Sequence, residues 1–341
     1  MDTFDETLLD DERELIAADG PLRHLAEAGA RVRQEAQEVE EIAATLAERG
    51  RPRAVVAAGA DARLLRAVLE PWCPVPFVAW PGPGLPGWVG PLDIAVVLAP
   101  SGGDREASSA VLEAVRRGSL LVLAAPTDSS IAEQGASRDT VLVPSHTGDS
   151  LAVAVAVLRV LHALQLGPQV RPEAVAGALD EVSESCGPRL EVGANPGKEL
   201  ALELADAMPL VWGGSVLAAR AGRRIAETFR RASGRPALAA DAEHLIPVIE
   251  GARPRDLFAD PFADPSPPSL RPMVIMVDDG AEEPAVREDR GRLRVTAQNH
   301  DVRLHTLTWN EGAEVARYAA LQSLGTYGAI YLAVGLGHYR S

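Results

Sequence analysis

The segment DIAVVLAPSGGDRE, Asp93 to Glu106, decides the fold. An unbroken apolar run leads into a Pro-Ser-Gly-Gly turn, and Arg105 then opens a helical pattern that extends to Arg117. A strand that alternates apolar and polar residues has one wet face, whereas one that is apolar throughout must be covered on both, as in a parallel sheet flanked by helices. Reading outward, the same kind of run recurs as AVVAAG (Ala54 to Gly59), VPFVAW (Val75 to Trp80), LLVLAA (Leu120 to Ala125) and TVLVP (Thr140 to Pro144), with a further helical stretch at Ala62 to Glu70. Five such runs with helical stretches between them predict a doubly wound parallel α/β unit.

Leu151 to Leu166 reads as a helix apolar nearly all round and therefore buried; Gly167, Pro168 and Pro172 end it and begin a connector. After Gly193 the pattern restarts with PLVWGG (Pro209 to Gly214), a helix from Val216 to Arg231, PALAA (Pro236 to Ala240), PMVIMVDD (Pro272 to Asp279), a helix within Glu283 to Gln298, VRLHTL (Val302 to Leu307) and a helix from Gly312 to about Gly335. Leu8 to Arg49 reads as an amphipathic helical leader interrupted at Gly20-Pro21. The expected organisation is a leader over 1–50, a first α/β unit over 51–168 and a second over 169–341. Arg253 to Pro272, with six prolines, is expected to be a long loop.

Of the 341 residues, 33 are basic and 48 acidic, so the net charge is −15. An anionic surface repels phosphate backbones and anionic head groups, which argues against nucleic-acid and membrane partners. The acidic N-terminus lacks the basic-then-apolar order of a signal peptide, and Arg159 and His162 interrupt the longest apolar stretch, so a cytoplasmic protein is expected. Cys73 and Cys186 have neither disulfide-framework nor metal-ligand spacing, and the seven histidines show no HExxH pattern, so no metal or cofactor is expected. There is no GxGxxG, no P-loop and no GxSxG elbow. Lys198 is the sole lysine, so any Schiff base or lysine-mediated proton transfer would have to use it.

Ligands of open α/β sheets sit at the carboxyl ends of the strands, where helix N-termini present free N–H groups. The candidate loops are therefore AAGAD (Ala57 to Asp61), APSGGDRE (Ala99 to Glu106), WGGS (Trp212 to Ser215) and VDDGAEE (Val277 to Glu283).

Three of these places carry a resemblance. Ser101-Gly102-Gly103-Asp104-Arg105-Glu106 resembles the SxSGNTxET phosphate loop of sugar isomerase (SIS) domain proteins. Asn195-Pro196-Gly197-Lys198-Glu199-Leu200-Ala201 resembles the NPAKxLA segment of the bifunctional phosphoglucose/phosphomannose isomerase branch. WGGSVLAARAGRR (Trp212 to Arg224) and RPALAADAEH (Arg235 to His244) are similar to its YGxGxLxAxAxR and PAFxxxFPExNHNE segments. The resemblance implies two SIS-type units, a homodimer, and a relative of aldose-ketose isomerases acting on a sugar or sugar phosphate. It places Glu243 on the family's glutamate as proton-transfer base, with His244 beside it, and Gly59, Ser101, Gly102, Gly214 and Ser215 along the ligand. Arg138 and Arg223 fall near arginines of the family's motifs.

The departures are equally specific. Asp61 and Asp104 stand where the family has a serine and a threonine that cradle phosphate; the same carboxylates would also serve as helix caps. The NHNE tail is replaced by LIPVIEG, and the terminal lysine is absent. A non-catalytic carbohydrate-derivative binding or regulatory protein is the alternative these changes favour, and conversion of hexose 6-phosphates near background is expected.

Overall fold

The structure is a computed structural model and describes residues 3–46, 49–59, 62–103, 105–252 and 270–339. The chain forms two compact units, one of Ala28–Gly177 and one joining Met1–Glu27 to Ala178–Ser341.

In the first unit, strands β1 (Val55–Ala58), β2 (Phe77–Ala79), β3 (Ile94–Leu98), β4 (Leu120–Ala125) and β5 (Thr140–Pro144) form one sheet in the order β2-β1-β3-β4-β5. Every pairing is parallel, with Val55 opposite both Phe77 and Ile94. β1 and β3 are buried along their whole length, as their continuous apolar runs require. Val56, Val97, Leu121 and Leu123 pack with Ala110, Val111 and Ala114 of the helix Arg105–Arg117. The helix Ser150–Ala163 is buried as its composition predicts, and Asp149 caps its start by accepting the N–H groups of Leu151 and Ala152.

In the second unit, β6 (Ala207–Gly213), β7 (Leu238–Ala239), β8 (Arg271–Asp278) and β9 (Arg303–Thr308) form a sheet in the order β7-β6-β8-β9, again wholly parallel. The buried helix Glu314–Gly335 packs against the helices Val216–Ser233 and Pro196–Glu203. The first residues of the chain join this unit: the Phe4 ring lies against Gly335, and the Asp5 N–H donates to the Gly335 carbonyl at 2.8 Å.

The structure differs from the sequence reading in several elements. The leader is a series of short helices (Glu12–Ala17, Asp19–Ala26, Ala28–Glu35 and Val39–Leu46) rather than two long ones. Gly20-Pro21 does not break it, because Pro21 sits in the first turn of Asp19–Ala26, where a missing N–H costs no hydrogen bond. The stretch read as connector contains the helix Pro172–Ser185, whose opening proline likewise starts a helix. The PALAA run is followed by the helix Ala242–Glu250, which runs through Pro247. Most of the expected proline-rich loop lies outside the described residues.

Candidate functional site

The carboxyl edge of the five-stranded sheet gathers the turns after β1 and β3. Gly59 has φ +98°, and a Cβ there would stand 2.5 Å from the Leu98 carbonyl oxygen, so only glycine lets the chain leave β1 this close to β3. Ser101 is exposed in the turn after β3, and the Gly102 N–H closes that turn on the Ala99 carbonyl at 3.0 Å. Asp61 and Asp104 lie outside the described residues. The turn after β5 packs onto this edge: Ser145 Oγ donates to the Pro100 carbonyl at 3.1 Å. That turn is held by Glu35, a nearly buried carboxylate that accepts the N–H groups of His146 and Thr147 and the Thr147 hydroxyl. Arg138 is not brought to this edge. It immediately precedes β5, at the amino end of the sheet, and its exposed side chain pairs with Asp139 at 3.1 Å.

The carboxyl edge of the four-stranded sheet brings together Gly214, Ser215, Arg223, Glu243 and His244. A Cβ on Gly213 would fall 2.2 Å from the Ala218 carbonyl carbon, so glycine is what lets β6 turn directly into the helix Val216–Ser233. Ser215 is the N-cap of that helix, its Oγ accepting the Ala218 N–H at 2.9 Å. The same hydroxyl donates to Asp279 Oδ2 at 2.5 Å. Asp279 follows β8; the Arg317 guanidinium holds its backbone carbonyl at 2.8 Å. Next to it Arg290 binds Asp278 Oδ1 and the Ala281 carbonyl, fixing the turn.

Glu243 and His244 are exposed in the first turn of the helix Ala242–Glu250. Neither side chain makes a hydrogen bond or ion pair among the described residues, so both are available to a ligand. Arg223 reaches Asp241 at 3.9 Å, but both are open to water and the pair is weak. The chemistry available at this edge includes the Glu243 carboxylate, the His244 imidazole and the N–H groups of a helix start.

Lys198 does not belong to it. Its side chain is 1% exposed, and Nζ donates to Asp10 Oδ1 at 2.7 Å, the Leu190 carbonyl at 2.8 Å and the Pro188 carbonyl at 3.1 Å. An ammonium with all three protons engaged is a structural tie with no role for a nucleophilic lone pair. Beneath it lie Tyr331, whose ring centroid is 5.7 Å from Nζ, and Cys186, whose thiol burial pushes up to about 11. No three His, Cys, Asp or Glu side chains come together as a metal site among the described residues.

Sequence reasoning marked the VDDGAEE turn but did not single out Asp279, and it gave no sign of Glu35. Their hydrogen-bond partners are 64 and 111 residues away, a separation no local pattern reports.

Residues 193–338 match the model of the bacterial phospho-glucose isomerase C-terminal SIS domain. Among solved structures the chain is similar to tagatose-6-phosphate ketose/aldose isomerase from Escherichia coli, with TM-score 0.65 and 13% identity over 94% of this chain and 93% of that one. It is also similar to the provisionally named phosphosugar isomerase of Silicibacter pomeroyi DSS-3, with TM-score 0.64 and 14% identity over 93% of this chain and 98% of that one. A third is a glucose-6-phosphate isomerase like protein from Thermus thermophilus, with TM-score 0.52 and 16% identity over 92% of each chain. At such identities the likeness is one of fold. No curated protein sequence matches the chain significantly.

Proposed function

We propose, from the premise that this chain is a SIS-domain protein of the phosphoglucose isomerase-like family, that it binds a carbohydrate derivative at the carboxyl edge of its four-stranded sheet and that Glu243 is the base of an aldose-ketose proton transfer there. The observation that carries this reading is the position of Glu243: unpaired among the described residues, exposed, on the first turn of a helix at a strand carboxyl end, within the matched domain. Moving a proton between C1 and C2 of a sugar needs a carboxylate that can take it from one carbon and return it to the next. The enediolate formed in between is anionic, and free N–H groups at a helix start are suited to it. His244, adjacent to the base, is the candidate to work at the ring oxygen.

One observation favours a second reading, in which the chain binds a sugar without turning it over. The Ser215 proton is engaged by Asp279 and Lys198 is sealed, which leaves few groups to open the ring or steady the enediolate. Each missing acid-base partner lowers the rate by a factor on the order of 10² to 10⁴.

The test is deuterium uptake from D₂O into C1 of fructose and of fructose 6-phosphate, and into C2 of any aldose formed from them, followed by NMR. Slow uptake that vanishes in Glu243→Gln supports the isomerase reading. No uptake despite measurable sugar binding establishes the second reading instead. A homodimer belongs to the same proposal and is read by light scattering on the eluted protein.

A further inference from the structure

Arg317, at the carboxyl edge of the four-stranded sheet, is a half-buried cation with no carboxylate in contact among the described residues. Its Nη1 donates to the Asp279 carbonyl at 2.8 Å, and the Nε–H is buried without an acceptor. Nη1 lies on the opposite side of a guanidinium from the Nε–H. The edge left over is therefore the one formed by Nε and Nη2, which presents two parallel N–H groups to an oxyanion. Gly280, at φ +77°, lets the turn after β8 come up against this arginine: a Cβ there would stand 3.0 Å from Asn310 Cβ and 3.8 Å from Arg317 Nη1. Arg317 is the fourth residue of the helix Glu314–Gly335, and a long side chain there lies over the first turn. That turn has no side-chain cap, so its own N–H groups add to the donors.

The second guanidinium of this turn differs. The Arg290 Nε–H is also buried without an acceptor, but Nη2 binds Asp278 and Nη1 reaches Glu282, so its charge is met. The Asp279 carboxylate is turned to the Ser215 hydroxyl and the Ala281 N–H. With Arg317 it makes the turn neutral before a ligand arrives, so one ligand charge is accommodated more easily than two. Glu311 and Glu314 are exposed at the start of the helix and favour the lower charge in the same way, although water screens them. Glu243 follows β7 and Arg317 binds the turn after β8, with β6 between them, a separation of two strand spacings or about 10 Å. An open six-carbon sugar with its carbonyl end at Glu243 directs C6 toward Arg317.

We infer that Arg317 determines substrate class: its free edge receives a terminal carboxylate, so the substrate is a sugar acid with its carbonyl carbons at one end and a carboxylate at the other. The inference rests on the reading of Glu243 as the base, which it makes more specific. The reaction itself is unchanged. The proton moves between C1 and C2, while the carboxylate at C6 stays ionised and serves only to hold the chain.

Titration calorimetry with glucuronate, glucose and glucose 6-phosphate tests it on the full chain, comparing wild type with Arg317→Gln and Arg317→Lys. Arg317→Lys keeps the charge and a donor for the Asp279 carbonyl but has no fork, so it reports even if Arg317→Gln fails to fold; circular dichroism checks both. The wild type is expected to bind glucuronate about tenfold or more tightly than either glucose or glucose 6-phosphate. Arg317→Gln should lose this preference and Arg317→Lys keep at most about a third of it, with the glucose affinity unchanged in both. Equal binding of glucuronate and glucose by the wild type overturns the inference. So does binding of glucose 6-phosphate as tight as that of glucuronate, or a preference that survives undiminished in a folded variant. A separate arm contains no sugar: acetate, compared with chloride at the same ionic strength, should raise the melting temperature of the wild type more than that of either variant. If no sugar gives heat, the carbohydrate reading fails and this arm alone decides the carboxylate site, which stands if the acetate effect depends on Arg317 and falls if it does not.

Discussion

Replacing Asp10 by Asn is expected to destabilise the protein more than replacing Lys198 by Met, although both changes cut the same ion pair. The asymmetry follows from exposure: the Lys198 side chain is 1% exposed and the Asp10 side chain 53%. Lys198→Met keeps the length of the stem and returns Asp10 to water at little cost. It leaves the Pro188 and Leu190 carbonyls without their donor, at about 1–3 kcal/mol each, partly offset because no ammonium needs to be desolvated. The net loss is about 2–3 kcal/mol. Asp10→Asn instead strands an ammonium in the interior with neutral acceptors only, and removing one partner of a buried pair costs about 3–5 kcal/mol. In the double variant the stranded charge is gone, so its stability should return to that of Lys198→Met alone. Urea unfolding followed by circular dichroism measures all three at constant m-value. If Asp10→Asn costs less than Lys198→Met, or the two single losses simply add, the lysine is not sealed in the way described.

Cys186 provides a pH prediction. Burial pushes its thiol up to about 11 from 9.0, so unfolding releases a proton increasingly as pH rises through that window, and stability should fall by about 2 kcal/mol between pH 9 and 11. Cys186→Ser should flatten this loss, and iodoacetamide at pH 8 should label Cys186 only when denaturant is added. Gly213→Ala, whose methyl would fall within 2.5 Å of the Ala218 backbone, should lower stability by about 1–3 kcal/mol and weaken sugar binding by displacing the Ser215 turn.

The two parallel sheets were legible because a strand covered on both faces has a composition as well as a periodicity. Val55–Ala58 and Ile94–Leu98 could hardly be anything else. The helix Pro172–Ser185 was not, since its opening proline reads as the start of a connector although it begins a helix, and the helix Ala242–Glu250 runs through a proline that its local pattern gives no reason to expect there. The turns at Gly59 and Gly213 were found because strand ends in such sheets are marked by glycine. What those turns hold was hidden: Asp279 and Glu35 meet their donors across long stretches of chain, and local spacing carries no trace of a tertiary hydrogen bond. Lys198 illustrates the same limit from the other side. Its position near a helix start was readable, but the Asp10 carboxylate and two carbonyls that engage it come from outside that helix.

Where the ligand sits is tested most directly by soaking crystals of the full chain with fructose and with fructose 6-phosphate. The expected result is fructose at the carboxyl edge of the four-stranded sheet, with C1 or C2 within reach of the Glu243 carboxylate, about 3 Å. A sugar bound away from Glu243 would contradict it.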